Sequence, residues 1–426
     1  LTAIYLQSML TGMTITGNDF GYWDGVFIEL KEGTPAETNK KLRDIEITNN
    51  TFDTATSGAS VACIHGAAND LLIEGNTFDR CGGCAATCHS MYINPRNDVR
   101  VTIRNNTMRR AGAYIGGPSD NACKSGNISY RGMSDQLLVE GNVIDNSAAA
   151  PETTCGAINI KPAYCFECIG DMTNAAIWDA EFLRRVIVRR NIVINSGNLS
   201  AFELGAARYF VVENNLCLRT YTHSNTCFDT PGGSVESGRT YDDESDIGGT
   251  FRNNTCRLEA AGDGATCFVW GTNVSAGTDL RMVNNIAQLT SAQTGTQSCF
   301  KHQQLSDYTV WDGNICAGSW DRWSTTGSAG GGYANHSAAH AAGFDTWSAA
   351  GGLADDDPLL TSPTSGNSWS VSVTSDSSPA HNNGSNTYKA KFDRLGCLRD
   401  STPSIGAEER GGTGCQTTIG APQQVH

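Results

Sequence analysis

The sequence predicts an all-β chain that winds into a right-handed parallel β-helix, a solenoid of about ten or more coils. Three observations favour this fold class: a recurring short motif, an asparagine at the same place in each copy, and apolar residues that alternate with polar ones. The chain has 426 residues, and 39% of them are hydrophobic, which is enough to bury a long shared core. We expect residues 1–320 to form the solenoid and residues 321–426 an irregular Gly/Ser-rich segment that packs on it or caps it.

The motif reads apolar, any residue, apolar, two small or polar residues, asparagine and a short apolar pair. It occurs ten times, from ITGNDF at 15–20 to WDGNIC at 311–316. Asparagine suits this turn because its side chain tolerates left-handed backbone and can hydrogen-bond main-chain groups. Stacked coils should therefore align the amides in a ladder, which consists of Asn18, Asn50, Asn76, Asn106, Asn142, Asn191, Asn215, Asn254, Asn285 and Asn314. A β-sandwich would instead need regular hairpin turns, and the Asn-Gly order typical of them occurs only at Asn383-Gly384.

The composition excludes some classes of binding partner and indicates the cellular compartment. Lys plus Arg number 30 against 44 Asp plus Glu, and this charge of −14 disfavours binding to nucleic acid or anionic membranes. No apolar run approaches the ~20 residues that cross a bilayer, so we expect no membrane span. The 16 cysteines favour disulfides, which persist in oxidising compartments, and indicate a secreted or cell-surface protein.

Cysteines recur at two places in the repeat, just before an apolar strand and two residues after the turn asparagine. This spacing favours bridges within one coil, Cys217 with Cys227 and Cys256 with Cys267, while Cys397 with Cys415 would link the C-terminal segment. Spacing alone leaves the connectivity open. Zinc or haem is the alternative for the closely spaced cysteines Cys81, Cys84, Cys88, Cys165 and Cys168.

The repeat resembles that of pectate-lyase-like proteins over residues 8–320. The segments DPLLTSP (357–363), SDSSPAHNNG (375–384), DRLG (393–396) and PSIGAEE (403–409) resemble the ending of many bacterial surface β-helix proteins, with Ser404 where aspartate is usual. The resemblance implies an extracellular protein that interacts with polysaccharide. The paired aspartates and Gly-His-Gly of the polygalacturonase branch are absent, and Tyr92-Ile93-Asn94-Pro95-Arg96 is only distantly similar to an alginate-epimerase site.

Strand alternation also nominates site residues. In the strand before each repeat, the apolar residues Ile64, Ile93, Ile128, Tyr130, Ile158, Ile160, Phe202, Leu204 and Phe300 should face the core. The outward neighbours should then form a line along one flank, made of His65, Asn94, Arg131, Lys161, Glu203 and Lys301. We expect His65, Asn94, Glu203 and Lys301 to contact a polysaccharide, and Tyr92 to stack on a sugar ring.

Two residues of this line are candidates for catalysis. Arg131 and Lys161 should lie on successive coils, about 5 Å apart, and a neighbouring cation lowers the pKa of a lysine toward that of a general base. The pair is similar to that of chondroitinase B-like and alginate lyases, which implies proton abstraction from an acidic glycan. The alternatives are a solvated flank without chemistry, and a non-catalytic surface protein, adhesin or fibre that self-associates through open strand edges.

No cofactor is required by any motif in the sequence. Besides the zinc or haem alternative at the cysteines, calcium is a candidate, since it takes oxygen ligands and two acidic clusters offer them. These clusters are Asp242, Asp243, Glu244 and Asp246 in one place and Asp355, Asp356 and Asp357 in the other.

Overall fold

The fold is that of a computed structural model, which describes part of the chain. The described residues are 2–7, 10–21, 26–31, 42–53, 62–81, 89–94, 100–109, 126–131, 136–147, 156–161, 183–196, 200–205, 207–219, 226–230, 249–259, 265–270, 280–290, 298–302, 308–318, 323–325, 332–333, 336–341, 357–361, 371 and 373–410. Structural statements below concern these residues.

Three long sheets, named A, B and C, make up the body of the molecule. Sheet A consists of Thr2–Gln7, Val26–Lys31, Ala62–Gly66, His89–Ile93, Gly126–Arg131, Gly156–Lys161, Phe202–Leu204, Thr226–Thr230, Thr266–Trp270, Ser298–His302, Trp323–Thr325 and Gly332–Tyr333. Sheet B consists of Thr11–Thr16, Arg43–Thr48, Asn69–Glu74, Arg100–Arg104, Gln136–Glu140, Val186–Arg189, Val211–Glu213, Thr250–Arg252, Leu280–Val283 and Tyr308–Asp312. Sheet C consists of Asp19–Gly21, Thr51–Asp53, Thr77–Asp79, Thr107–Arg109, Val143–Asp145, Ile192–Ile194, Leu216–Arg219, Thr255–Leu258, Ile286–Leu289 and Ile315–Ala317.

The chain visits the sheets in the fixed order A, B, C, and each strand pairs in parallel with the strand one coil later. Only Gly332–Tyr333 pairs antiparallel among the strands of these sheets. A small extra pair joins Leu183–Arg184 to Ala207–Arg208, and a short helix spans His336–Ala341. This arrangement is a right-handed parallel β-helix of about ten coils, so the predicted fold class is confirmed.

Inward side chains from all three sheets share one apolar core. Every residue that alternation assigned to the core of sheet A is buried, and so is Trp311 in sheet B. On sheet C, Phe20, Phe52 and Phe78 stack with ring centroids 5.0 and 4.8 Å apart. On sheet A, four later rings stack at 4.7, 4.8 and 5.0 Å, in the order Phe202, Phe228, Phe268 and Phe300.

The asparagine ladder runs without a break through all ten predicted residues. At each step the Nδ2 of one asparagine donates to the Oδ1 of the next, for example from Asn76 to Asn106 at 3.0 Å. The backbone N–H donates to the same oxygen, and Nδ2 also reaches a carbonyl one coil earlier, such as that of Ile47 at 2.8 Å. The other eight steps repeat the bond from Nδ2 to Oδ1.

The left-handed backbone, however, belongs to the residue before each ladder asparagine. These preceding residues have positive φ and are Gly17, Asn49, Gly75, Asn105, Gly141, Arg190, Asn214, Asn253, Asn284 and Gly313. The expectation that the ladder asparagine itself takes this conformation is therefore wrong. Glycine and asparagine tolerate positive φ at the preceding position, which frees the next asparagine to hydrogen-bond along the stack.

Disulfides join sheet A to sheet C or, at Cys81, to the second residue after one of its strands. The bridges Cys217–Cys227 and Cys256–Cys267 are present, as the spacing predicted. Two further bridges, Cys63–Cys81 and Cys299–Cys316, were not predicted, and the first removes Cys81 from the metal alternative. Cys397 is also in a disulfide, while Cys415, its expected partner, lies outside the described residues.

Residues 373–410, called the C-terminal segment below, cover the turns between sheets B and C in the later coils. Its backbone hydrogen-bonds the side chains of Asn214, Asn253 and Asn284, which precede three successive ladder asparagines. The segment has its own buried ion pair, in which Arg399 Nη1 lies 3.0 Å from Glu409 Oε2 with both side chains fully buried. The PSIGAEE motif thus forms part of a polar core, although the division at residue 320 stays a prediction.

The outer edge of sheet B carries side chains of alternating charge. One row of backbone partners runs through Glu74, Arg104, Glu140, Arg189, Glu213 and Arg252. Ion pairs join them two by two, at 2.8 Å for Arg104 and Glu74 and at 2.7 Å for the next two pairs. We call this row the charge ladder.

Candidate functional site

A single row of side chains follows the outer face of sheet A through successive coils. These residues alternate with core residues, so they point away from the core, and each is the backbone partner of the next. The row, called the outer row below, consists of Tyr5, Glu29, His65, Tyr92, Ser129, Asn159, Glu203, Asp229, Val269, Lys301 and Ser324. It brings together His65, Tyr92, Glu203 and Lys301, four of the residues expected to bind polysaccharide.

The remaining sequence candidates lie two residues further along their strands. Asn94, Arg131 and Lys161 come two positions after Tyr92, Ser129 and Asn159 in the chain, so their backbone positions form a second row. The expected single line is therefore two rows. Arg131 and Lys161 are backbone partners on neighbouring coils, as expected, while their side chains lie outside the described residues.

The middle of the outer row is buried although it faces away from the core. Ser129 is 0% exposed, Asn159 2% and Glu203 7%. Asn159 Nδ2 donates to Glu203 Oε2, while Ser129 Oγ and Asn159 Oδ1 have no hydrogen-bond partner among the described residues. Buried polar atoms without partners are uncommon in folded proteins and call for a water, an ion or a functional explanation. These atoms therefore mark a place that an ordered water or a polar group of a ligand would satisfy.

Two carboxylates lie next to each other beside this place. Glu203 and Asp229 are backbone partners, so their Cα atoms are separated by about the 4.8 Å of one coil. Ser200 Oγ donates to Asp229 Oδ2 at 2.9 Å, and Asp229 is half-buried. Paired carboxylates on a rigid sheet are the groups that acid–base cleavage of a glycosidic bond uses.

Aromatic rings occupy the earlier coils of the outer row. The Tyr92 ring centroid is 5.4 Å from that of His65 and 4.9 Å from that of His89. Burial lowers the pKa of His65, and Glu29 on the preceding coil opposes this effect only in part. His65 is thus held toward the neutral form, in which it can both donate and accept a hydrogen bond.

Neither acidic cluster proposed for calcium gives a site that can be described. Within the described ranges no group of three or more His, Cys, Asp or Glu residues could hold a metal ion. Asp357 accepts hydrogen bonds from Gln288 and from the Leu359 backbone, and the other cluster members lie outside the described residues. In the same part of the chain, no helix has both the length and the apolar character needed to cross a membrane.

Sequence reasoning missed Ser129, Asn159 and Asp229. The signal was present, because Ser129 stands between the core residues Ile128 and Tyr130, and Asn159 between Ile158 and Ile160. Alternation assigns a residue to a face of the sheet, but only the register between coils decides which outward residues become neighbours.

Comparison with known proteins does not add a family. No family model matches the sequence, and no curated protein is significantly similar to it. Membership of the pectate-lyase-like superfamily therefore stays a prediction, and function has to be argued from the site.

Proposed function

We propose that this chain is an extracellular polysaccharide-cleaving protein whose substrate lies along the outer row of sheet A. The observation that carries the proposal is the burial of Ser129, Asn159 and Glu203 on an outward face. Asp229, the backbone partner of Glu203, adds a second carboxylate there. A solenoid flank with no task would keep such groups in water, because burying polar atoms without partners costs free energy. The disulfides support an oxidising, extracellular location.

In the proposed reaction the two carboxylates divide the work. One protonates the glycosidic oxygen, and the other activates water or attacks the anomeric carbon. Asn159 holds Glu203 through its Nδ2 donor, which leaves the Asn159 carbonyl and the Ser129 hydroxyl for sugar hydroxyls. Tyr92 lies two coils before Asn159 and His65 three coils before it, where they would bind the adjoining sugars along the row.

A lyase reaction is the second candidate, and the register of two cations favours it. Arg131 and Lys161 are backbone partners in the row next to Ser129 and Asn159, so both rows would face the same sugar. Lys161 would then remove the proton beside the sugar carboxylate, while Arg131 balances the developing charge. The two reactions leave different products, since only elimination creates an unsaturated sugar.

The test is a panel of neutral and acidic polysaccharides incubated with the protein, with two readouts taken together. New reducing ends report hydrolysis or elimination, and ultraviolet absorbance reports elimination alone. We expect reducing ends without absorbance, and at least a hundredfold loss of rate in Glu203→Gln and Asp229→Asn, the scale typical of acid–base groups. The matched control is Glu46→Gln, an exposed carboxylate on the outer face of sheet B, which should keep full rate.

The variants also separate the candidates. If ultraviolet absorbance develops and is lost in Lys161→Ala but kept in Glu203→Gln, that result would show elimination. The lyase reaction would then replace hydrolysis as the proposed function. No product from any polysaccharide would contradict both and leave the adhesin or fibre alternative, which filament formation in electron micrographs would support.

A further inference from the structure

The outer face of sheet B carries an apolar strip that the proposed site does not use. Five consecutive backbone partners form it, in the order Leu72, Thr102, Leu138, Ile187 and Val211. All are half-buried and face away from the core, since their strand neighbours such as Leu71, Val101 and Leu137 are core residues. A contiguous apolar strip on an outer face is unusual for a sheet that faces water, and it commonly marks a binding surface.

A cleft of about 320 Å³ lies over this strip, and four arginines surround it. Arg100 and Arg104 stand on one strand, four residues apart, with Thr102 between them. Arg185 and Arg189 flank Ile187 in the same way two coils later. Because one coil rises about 4.8 Å, the two arginine pairs are about 10 Å apart along the solenoid, with Leu138 midway.

The cleft is basic within an acidic protein. Its lining has four arginines and a single acidic residue, Asp70, whereas the chain as a whole carries −14. On one side, Arg104 and Arg189 are held by Glu74 and Glu140 of the charge ladder. On the other side, Arg185 is exposed, and Arg100 pairs with Asp70 while 65% of its side chain remains exposed. A guanidinium has five N–H donors, so a carboxylate partner leaves donors for a ligand.

We infer that this cleft, the arginine groove, binds a strand of acidic polysaccharide parallel to the solenoid axis. The apolar faces of sugar rings would contact Leu138 and Ile187, and carboxylate or sulfate groups would meet the two arginine pairs. Charge at two places along the axis fits a polymer with repeating anions better than an anion with one head group. The inference rests on the proposed function only in taking polysaccharide as the ligand, since the groove lies on a different sheet.

The experiment measures binding to an immobilised polyuronate, with a neutral polysaccharide of equal length for comparison. All variants carry Glu203→Gln, so that cleavage does not consume the ligand. We expect Arg100→Ala/Arg185→Ala to weaken polyuronate binding at least tenfold and to reduce its dependence on salt. Arg43→Ala, which removes an exposed arginine from sheet B outside the cleft, is the matched control and should bind normally. Leu138→Glu places a negative charge on the floor of the cleft and should also weaken polyuronate binding.

Three outcomes would overturn the inference: no polyuronate binding by the parent protein, equal binding by the double variant and the Arg43→Ala control, or equal affinity for the neutral polymer. Single-stranded DNA serves as a competitor. If it displaces the polyuronate at equal charge concentration, the groove binds polyanions in general and not acidic polysaccharide in particular. If Arg100 and Arg185 control binding while no polysaccharide is cleaved, the groove stands and the proposed cleavage function fails. If cleavage depends on Glu203 but binding does not depend on Arg100 and Arg185, the proposed cleavage function stands and the inference about the groove fails.

Discussion

The early and late coils of this solenoid fill the core with stacked aromatic rings from different sheets. In the early coils the stacked rings Phe20, Phe52 and Phe78 lie on sheet C, opposite residues of sheet A that are mostly aliphatic apart from the single ring of Phe27. In the late coils the rings lie on sheet A, and sheet C carries the small residues Cys217, Cys256 and Ala287 at the equivalent positions. The stacked row of rings changes sheet while the core stays filled, and Phe251 and Trp311 of sheet B add single rings in the late coils. The comparison therefore teaches that total volume is constrained more strongly than the position of any one side chain.

The two regions also differ in how their outer turns are covered. The C-terminal segment hydrogen-bonds Asn214, Asn253 and Asn284 in the late coils, whereas Asn49 at the equivalent early position is exposed. The C-terminal segment that covers the late coils also contains a fully buried ion pair, Arg399 with Glu409, while the early pair of Arg104 and Glu74 is partly exposed. Loss of charge should therefore cost far more in the late region.

The largest expected effect comes from removing one partner of the late ion pair. Arg399→Met leaves Glu409 buried without its cation, which should lower the free energy of unfolding by about 3–5 kcal/mol. Burial already raises the pKa of Glu409, so loss of the cation should protonate it more readily. The matched early change, Arg104→Met, should cost less than about 1 kcal/mol. Urea unfolding measures both, and equal costs would remove the distinction between the two regions.

An intermediate effect is expected for a late disulfide. Cys256→Ala/Cys267→Ala opens a loop of 11 residues and should lower the free energy of unfolding by about 2–3 kcal/mol under oxidising conditions. The reason is that the unfolded chain regains freedom, while Phe268 still fills the core beside the site. Calorimetry with and without reductant provides the check, because reductant should remove most of the difference between the variant and the parent. A difference that survives reduction would mean that the cysteines contribute by packing.

The smallest expected effect belongs to the early coils and concerns pH. Burial lowers the pKa of His65 below its ordinary value of about 6.5, so the folded state favours the neutral ring. Its contribution is complete above pH 6.5 and is lost as the pH falls toward the folded pKa, because the unfolded chain binds the proton first. His65→Gln should reduce this acid sensitivity slightly, by under about 1 kcal/mol after solvent screening. An NMR titration of His65 with a midpoint above 6.5 would show instead that Glu29 dominates.

The fold could be predicted because its signals are local. The turn motif and the alternation of Ile64, Ile158 and Phe202 with polar residues specify strands, faces and ladder without reference to distant residues. The left-handed position was also visible, since glycine or asparagine precedes nine of the ten ladder asparagines, with Arg190 the exception.

The candidate site could be predicted only in part, because register and packing between coils are not local. His65 and Glu203 were assigned to the correct face, but Lys161 was aligned with them although Asn159 is the true neighbour. The disulfide Cys63–Cys81 was missed because Cys81 does not occupy either of the two positions in the repeat at which other cysteines recur. The arginine groove needs two strands two coils apart and has no sequence motif.

The charge ladder has a consequence for how the solenoid can change in length. Repeat proteins gain and lose whole units, and here adjacent units alternate in sign from Glu74 to Arg252. Deleting the unit that carries Arg104 would set Glu74 directly beside Glu140, and like charges on neighbouring strands repel. Deleting two consecutive units would restore an opposite partner. Over this stretch, duplication or loss should therefore be tolerated in even numbers and penalised in odd ones.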